Sequence, residues 1–353
     1  MATSGSIVIA GGGTGGHLMP GLAVARALRE AGAEEITFVG TARGLEARLV
    51  PAAGFALRLI RIGGLKSGGR RRQLETLVQL PAAVAQSARI LRQARARVVL
   101  GIGGYASGPV LAAAWLLRVP IVLLEVNAKT GLANRWAARW ARASAVNFPE
   151  TARDFAHAEV TGIPVRPEFF APWPLAPDPS PLVLVFGGSQ GAHALNEAVA
   201  AMAAGVDFRI LHQTGPRDWE AVAARYAGLG ERVRAVAFID QMAEAMAEAA
   251  VVVCRSGAST LGEIAAARKP AILVPLPNST DQHQLRNAQA FAAAGAAVLL
   301  EQAQLTPERL AETLRALLAD APRRAAMAEA LGGFAHAGAA EAIARLVLRQ
   351  RRW

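Results

Sequence analysis

The sequence predicts an α/β protein made of two doubly wound parallel-sheet domains, and three observations predict it. Short apolar, β-rich runs alternate with longer segments of helical period throughout the chain. The alternation stops once, at a proline-rich stretch, and then restarts. Each half opens on the same strand, glycine turn and helix pattern. A length of 353 residues suits two domains, each long enough to bury its own core.

First-half strands are expected at 6–10, 36–39, 57–60, 98–100 and 121–124. Their unbroken apolar character, without in-out alternation, means strands covered on both faces, as crossover helices leave them in a parallel sheet. Between 162 and 181, Pro164, Pro167, Pro172, Pro174, Pro177, Pro179 and Pro181 make up seven of the chain's 19 prolines, which reads as an interdomain linker. Strands resume at 182–186, 208–211, 233–237, 251–253 and 271–274. The expected domains are 1–163, joined by a C-terminal helix over 336–353, and 164–335. The matching openings SIVIAGGGTGGH (6–17) and LVLVFGGSQGAH (182–193) make both Rossmann-like. Ligands of such sheets lie beyond the carboxyl ends of the strands, so a shared ligand is expected in a cleft between facing domains.

Composition narrows the class. With 53% hydrophobic and 18% charged residues the chain is not disordered, and the single Cys254 excludes an internal disulfide framework or a cysteine zinc cluster. The formal net charge is +11, and all but three of the 38 basic residues are arginines. That excess reads either as base-composition bias or as a polyanionic partner, nucleic acid or an anionic membrane surface. Only 5% aromatic residues and no RNA-binding signature weigh against nucleic acid. The longest apolar stretches, such as 110–123, are cut by Arg118 and Pro120 short of a membrane span, and the N-terminus lacks a signal-peptide pattern. A cytoplasmic protein with a peripheral membrane contact is expected.

Gly11, Gly13 and Gly16 satisfy G-x-G-x-x-G between a strand and a helix. The second strand ends Phe38-Val39-Gly40-Thr41, without the acid a nicotinamide site uses for its ribose. A sugar- or phosphate-facing turn, or glycines serving only helix packing, remain. His17 follows at the first turn of a helix, where the dipole disfavours imidazolium; a neutral imidazole there suits a general base, although a lone histidine is often structural. The second turn, 187–191, offers backbone amides, the Ser189 hydroxyl and a helix N-terminus to a diphosphate, with Arg166 a candidate partner or one solvated arginine among many. Glu263, in the first helical turns after the strand 251–253, could accept both hydroxyls of a ribose or be an ordinary N-terminal helix charge. Asp281, Gln282, His283, Gln284 and Asn287 form a cluster able to read sugar hydroxyls. No D-x-D or H-E-x-x-H spacing appears, so no metal is expected.

GGTGGHLMPGLAVA, GLEARLVPAAG, GIGGYASGP, EVNAKTGLANR, GIPVR, GGSQGAHALN, CRSGASTLGEIAAA and DQHQLRNA occur in that order across nearly the whole chain. Together they resemble the GT-B fold glycosyltransferases, in particular the peptidoglycan-synthesis family that adds N-acetylglucosamine to lipid I. The resemblance implies an inverting transferase without a cofactor, bound mainly to UDP-N-acetylglucosamine through its C-terminal domain. Ser189 and Gln190 would lie at the diphosphate, Ile239 at the uracil edge, Glu263 at the ribose, His283 and Gln284 at the sugar, and Ala258, Ser259, Thr260 and Leu261 along the pocket. Gly13, Thr14, Gly15 and Asn127 would meet the sugar and acceptor side, and Arg166 matches a donor-contacting position. His17 would deprotonate the muramyl 4-hydroxyl, with Glu125 the rival base. The chain departs from the family pattern at Leu124 and Val126, where histidine and glutamine are usual, and at His193, where arginine is usual. A relative acting on another lipid, such as diacylglycerol, is the alternative.

The lipid acceptor implies a docking surface on the cytoplasmic face of the inner membrane. Arg70, Arg71 and Arg72 precede Leu74, Leu77, Val78 and Pro81, which share one helical face. Trp136 and Trp140, flanked by Arg135, Arg139 and Arg142, would add interfacial anchors or instead form a core-facing stripe.

Overall fold

The computed structural model describes residues 6–13, 15–63, 70–171 and 180–350, with 70–77 as backbone only. The chain divides into two compact units, Met1–Val165 with Gly338–Trp353, and Arg166–Ala337.

The first unit holds a seven-stranded sheet: β1 (Ile7–Ala10), β2 (Ile36–Gly40), β3 (Ala56–Leu59), β4 (Val98–Gly101), β5 (Ile121–Glu125), β6 (Ala143–Val146) and β7 (Ala158–Val160). The order is β3-β2-β1-β4-β5-β6-β7, every pair parallel. β1, β4, β5 and β6 are buried along their whole length, as strands covered on both faces must be. The edges β3 and β7 are largely exposed and carry Arg58 and Glu159, charges that discourage a further strand from pairing there. Helices α1 (Gly15–Glu30), α2 (Glu46–Ala52), α3 (Arg70–Gln93), α4 (Ser107–Leu116) and α5 (Leu132–Ala137) make the crossovers.

The second unit holds β8 (Leu182–Phe186), β9 (Arg209–Gln213), β10 (Val233–Val236), β11 (Ala249–Cys254), β12 (Ala271–Leu273) and β13 (Val298–Leu299), in the parallel order β10-β9-β8-β11-β12-β13. Its helices are α6 (His193–Met202), α7 (Trp219–Tyr226), α8 (Met242–Glu248), α9 (Ala258–Ala267), α10 (His283–Ala293), α11 (Pro307–Ala319) and α12 (Ala321–Gly332). The last helix, α13 (Ala339–Gln350), returns to the first unit and packs on α1, burying Ile343, Leu346 and Val347.

β6, β7 and β13 carry no sequence expectation. They are short, and Ala143-Ser144-Ala145-Val146 offers little branched or aromatic character to announce a strand. The proline-rich stretch is divided between the units: 162–165 belong to the first and the second begins at Arg166, where Pro167–Phe170 forms one tight turn against α9, with Phe169 fully buried. Residues 172–179 lie outside the described residues. No helix among the described residues is long and apolar enough to cross a membrane.

Candidate functional site

In the first unit the chemistry-bearing residues collect beyond the carboxyl ends of β1, β4 and β5. The turn after β1 meets a second glycine turn after β4, backbone against backbone. A Cβ on Gly11 would lie 2.3 Å from Gly103 O, and one on Gly104 would lie 2.3 Å from Gly12 O, so both positions must be glycine for the turns to touch. His17, half-buried in the first turn of α1, fills the space beside Gly103, where an added Cβ would stand 2.9 Å from its Nδ1. The imidazole is held against rigid backbone, with Nδ1 buried. Thr14 lies outside the described residues; Gly13 and Gly15 flank it in the turn.

Glu46, the first residue of α2, answers this turn and was not singled out by sequence reasoning. It is fully buried, and Oε2 accepts the Gly13 N–H at 2.7 Å. Oε1 accepts the Thr41 N–H at 2.8 Å and the Thr41 hydroxyl at 3.0 Å. Thr41 Oγ1 also hydrogen-bonds Tyr105 Oη at 3.0 Å, and the Tyr105 ring packs beside Gly13. The glycine turn thus takes its anion from the protein itself. A dinucleotide pyrophosphate would compete with a buried carboxylate for the same amide, a physical reason for this turn to differ from a nicotinamide site. The signal in the sequence is an acid six residues beyond the end of β2.

Glu125, at the end of β5, is buried and surrounded by donors. Oε1 accepts from Asn127 N–H at 3.1 Å and Asn127 Nδ2 at 3.2 Å; Oε2 accepts from Gly131 N–H at 2.9 Å and Asn134 Nδ2 at 3.0 Å. Burial pushes its carboxyl above the usual range, opposed by these hydrogen bonds. Both oxygens therefore organise the loop from β5 to α5, each accepting from two of the protein's own donors. Leu124 and Val126 are both 1% exposed, so these departures from the family pattern are apolar packing positions.

In the second unit the turn 187–191 follows β8 and leads into α6. Ser189 and Gln190 are exposed at its tip, and among the described residues no side chain accepts from its amides. At the start of α9, Ala258 and Leu261 are buried, while Ser259 and Thr260 are half-buried; Ser259 Oγ is itself buried and lacks a hydrogen-bond partner among the described residues. A hydroxyl left so at a helix N-terminus suits a polar ligand. One turn further on, burial pushes the Glu263 carboxyl up to about 7, opposed by the Arg166 guanidinium and reinforced by Glu168. Arg166 pairs with Glu168 at 3.1 Å and lies over the Phe169 ring, so the linker arginine is held near α9 and not loose in solvent.

The cluster before α10 is less open to ligand than its composition suggests. Gln284 Oε1 accepts the Leu276 N–H at 2.9 Å, and Gln284 O accepts the Ser256 hydroxyl at 2.8 Å. His283 Nδ1 lies within hydrogen-bond reach of Thr280 O. Asp281 and Gln282 hold left-handed backbone, φ 54° and 55°, a strained turn of the kind found where side chains must be aimed. Ile239, half-buried after β10, donates its N–H to Gln213 Oε1 at 2.8 Å. His193, 77% exposed, pairs with Asp218 at 3.1 Å. Among the described residues no group of three His, Cys, Asp or Glu is placed to hold a metal ion.

Residues 7–146 match the glycosyltransferase family 28 N-terminal domain, and 182–346 match the glycosyltransferase family 28 C-terminal domain. A relative from Anaeromyxobacter sp. (strain Fw109-5) is 47% identical, over 98% of this chain and 94% of its own length. It is named UDP-N-acetylglucosamine--N-acetylmuramyl-(pentapeptide) pyrophosphoryl-undecaprenol N-acetylglucosamine transferase. A protein of the same name from Myxococcus xanthus is 40% identical, over 96% of this chain and 91% of its own. Among solved structures, Acinetobacter baumannii MurG superposes with a TM-score of 0.83 at 30% identity, covering 98% of this chain and 99% of that one. The calicheamicin glycosyltransferase CalG4, TM-score 0.71 at 19% identity over 99% of this chain and 98% of its own, shares the fold. Two parallel-sheet Rossmann-like units, both family 28 domains and near-full-length identity meet in one conclusion: the chain belongs to glycosyltransferase family 28 and, within it, to the MurG family of N-acetylglucosamine transferases.

Proposed function

We propose that the chain transfers N-acetylglucosamine from UDP-N-acetylglucosamine to the 4-hydroxyl of the muramyl residue of lipid I, giving lipid II. The observation that carries this division of labour is the contrast between the two glycine turns. The first has its amide answered by Glu46, whereas the second has no side-chain acceptor among the described residues. The second unit is therefore the donor side, with Ser189, Gln190 and the start of α9 facing the diphosphate, Ile239 the uracil, Glu263 the ribose, and His283 and Gln284 the sugar.

The first unit supplies the base. His17 takes the proton of the acceptor 4-hydroxyl as that oxygen bonds to the anomeric carbon; the bond from that carbon to the diphosphate oxygen breaks, and configuration inverts. UDP leaves with the bonding electrons, its charge met by backbone amides, a helix N-terminus and Arg166. His17 is asked for a factor of about 10²–10⁴, ordinary for general-base catalysis. Glu125, its oxygens engaged by four donors, positions Asn127 and the loop after β5.

A lipid-linked acceptor calls for docking at an anionic membrane surface, peripherally and on the cytoplasmic face. Arg70, Arg71, Arg72, Leu74, Leu77 and Val78 belong to α3, where Val78 is 73% exposed and Leu80 is also exposed. The side chains of 70–77 lie outside the described residues. Trp115, Trp136 and Trp140 cluster beside Arg139, with Trp115 and Trp136 substantially exposed, which favours anchoring over a buried stripe. Turnover of UDP-N-acetylglucosamine with a lipid I analogue tests the reading. Acceptance of a diacylglycerol in place of that analogue would overturn the acceptor assignment.

A further inference from the structure

Gln213 closes β9 with only 2% of its surface exposed. Its amide makes two hydrogen bonds of opposite sense. Nε2 donates to Gly188 O at 3.1 Å, and Oε1 accepts from Ile239 N–H at 2.8 Å. Gly188 belongs to the turn assigned to the diphosphate, and Ile239 to the segment assigned to the uracil. One buried side chain thus joins the two.

The surrounding frame is fixed. The neighbouring His212 is fully buried, with Nδ1 to Tyr226 Oη at 2.8 Å and Nε2 to Asn196 Oδ1 at 3.1 Å. Asn196 Nδ2 in turn donates to Thr214 O at 2.8 Å, and Thr214 N–H donates to Val236 O at 3.0 Å. The residues on both sides of Gln213 are tied to α6, α7 and β10, while the turn and the segment after β10 are loops. We infer that Gln213 is a positioning residue that sets the spacing between the diphosphate turn and the base-facing segment, matching it to one nucleoside diphosphate. This rests on reading the second unit as the UDP site. The position demands an amide, because it must donate on one side and accept on the other. A carboxylate would face Gly188 O with a second acceptor, and a thioether would serve neither contact well.

The experiment compares wild type, Gln213→Glu and Gln213→Met by steady-state kinetics, with UDP and uridine as competing inhibitors. Circular dichroism and thermal melting establish that each variant is folded. Gln213→Met is expected to raise KM for UDP-N-acetylglucosamine about tenfold while kcat changes less than about threefold, as the loss of donor-site hydrogen bonding predicts. Gln213→Glu retains the acceptor for Ile239 but not the donor for Gly188. UDP inhibition should therefore weaken about tenfold more than uridine inhibition. Should Gln213→Met not fold, that ratio in Gln213→Glu decides alone. Folded variants with wild-type KM and an unchanged uridine-to-UDP ratio would overturn the inference. UDP failing to inhibit even the wild type would instead overturn the assignment of the site, and this inference with it.

Discussion

Glu263 offers a prediction that needs no substrate. Burial raises its carboxyl from 4.5 to about 7, with Arg166 only partly offsetting the penalty and Glu168 adding to it. That rise corresponds to about 3 kcal/mol in favour of the neutral form, at about 1.4 kcal/mol per pH unit. Because the folded value lies above the unfolded one, the stabilising contribution is complete below about pH 4.5 and is lost as pH rises through about 7. Glu263→Gln replaces the group by a neutral one of the same shape. Measured by urea unfolding, the variant should match wild type near pH 4.5, gain progressively to pH 7 and level off about 3 kcal/mol more stable above it. A ligand whose ribose hydroxyls donate to Glu263 favours the carboxylate, so binding of uridine, which carries the ribose but no phosphate to titrate, should release a proton near pH 6 in wild type and not in Glu263→Gln. Calorimetry in buffers of different ionisation enthalpy reads that proton. A stability difference that does not change between pH 4.5 and 8 would refute the burial argument; proton release that persists in the glutamine variant would refute the ribose contact.

His17→Ala should lower turnover at least about a hundredfold while the UDP dissociation constant stays unchanged, since the imidazole is assigned to the acceptor's proton; near-normal turnover in single-turnover assays would remove His17 from the chemistry. Glu46→Ala leaves three donors at a fully buried site without their acceptor, for a loss of about 3–5 kcal/mol in unfolding free energy. Glu46→Gln, which keeps one acceptor oxygen, should fall between; equal stability of both variants and wild type would show that the turn does not depend on the carboxylate. Reversing charge at Arg70, Arg71 and Arg72 should weaken sedimentation with anionic vesicles, at about 1 kcal/mol per residue near the surface. Turnover of a short-chain soluble acceptor should hardly change; vesicle binding equal to wild type would move the docking surface to the Trp115, Trp136 and Trp140 cluster.

What the sequence revealed and what it hid divide along one physical line. Periodicity is a local property, so the strands that form the centre of each sheet, such as Ile121–Glu125 and Leu182–Phe186, were visible as apolar runs. The glycine turns and the helix-start position of His17 were visible for the same reason. The two turns look alike as strings, yet what distinguishes them lies elsewhere in the chain. Gly13 is answered by a carboxylate 33 residues away, and Gln213 reaches Gly188 and Ile239 across 25 and 26 residues. Neither Glu46 nor Gln213 belongs to a run, a repeat or a charge cluster, and each acts only because parallel β-α-β winding brings strand ends side by side. Glu125 shows the converse: a lone acid at a strand end reads as a base until its four donors are seen, and then it reads as the clasp of a loop. Similar glycine motifs can therefore face different chemistry without changing their own residues. An internal carboxylate withdraws one turn from phosphate, while an internal amide holds the other at a fixed distance from the segment assigned to the base.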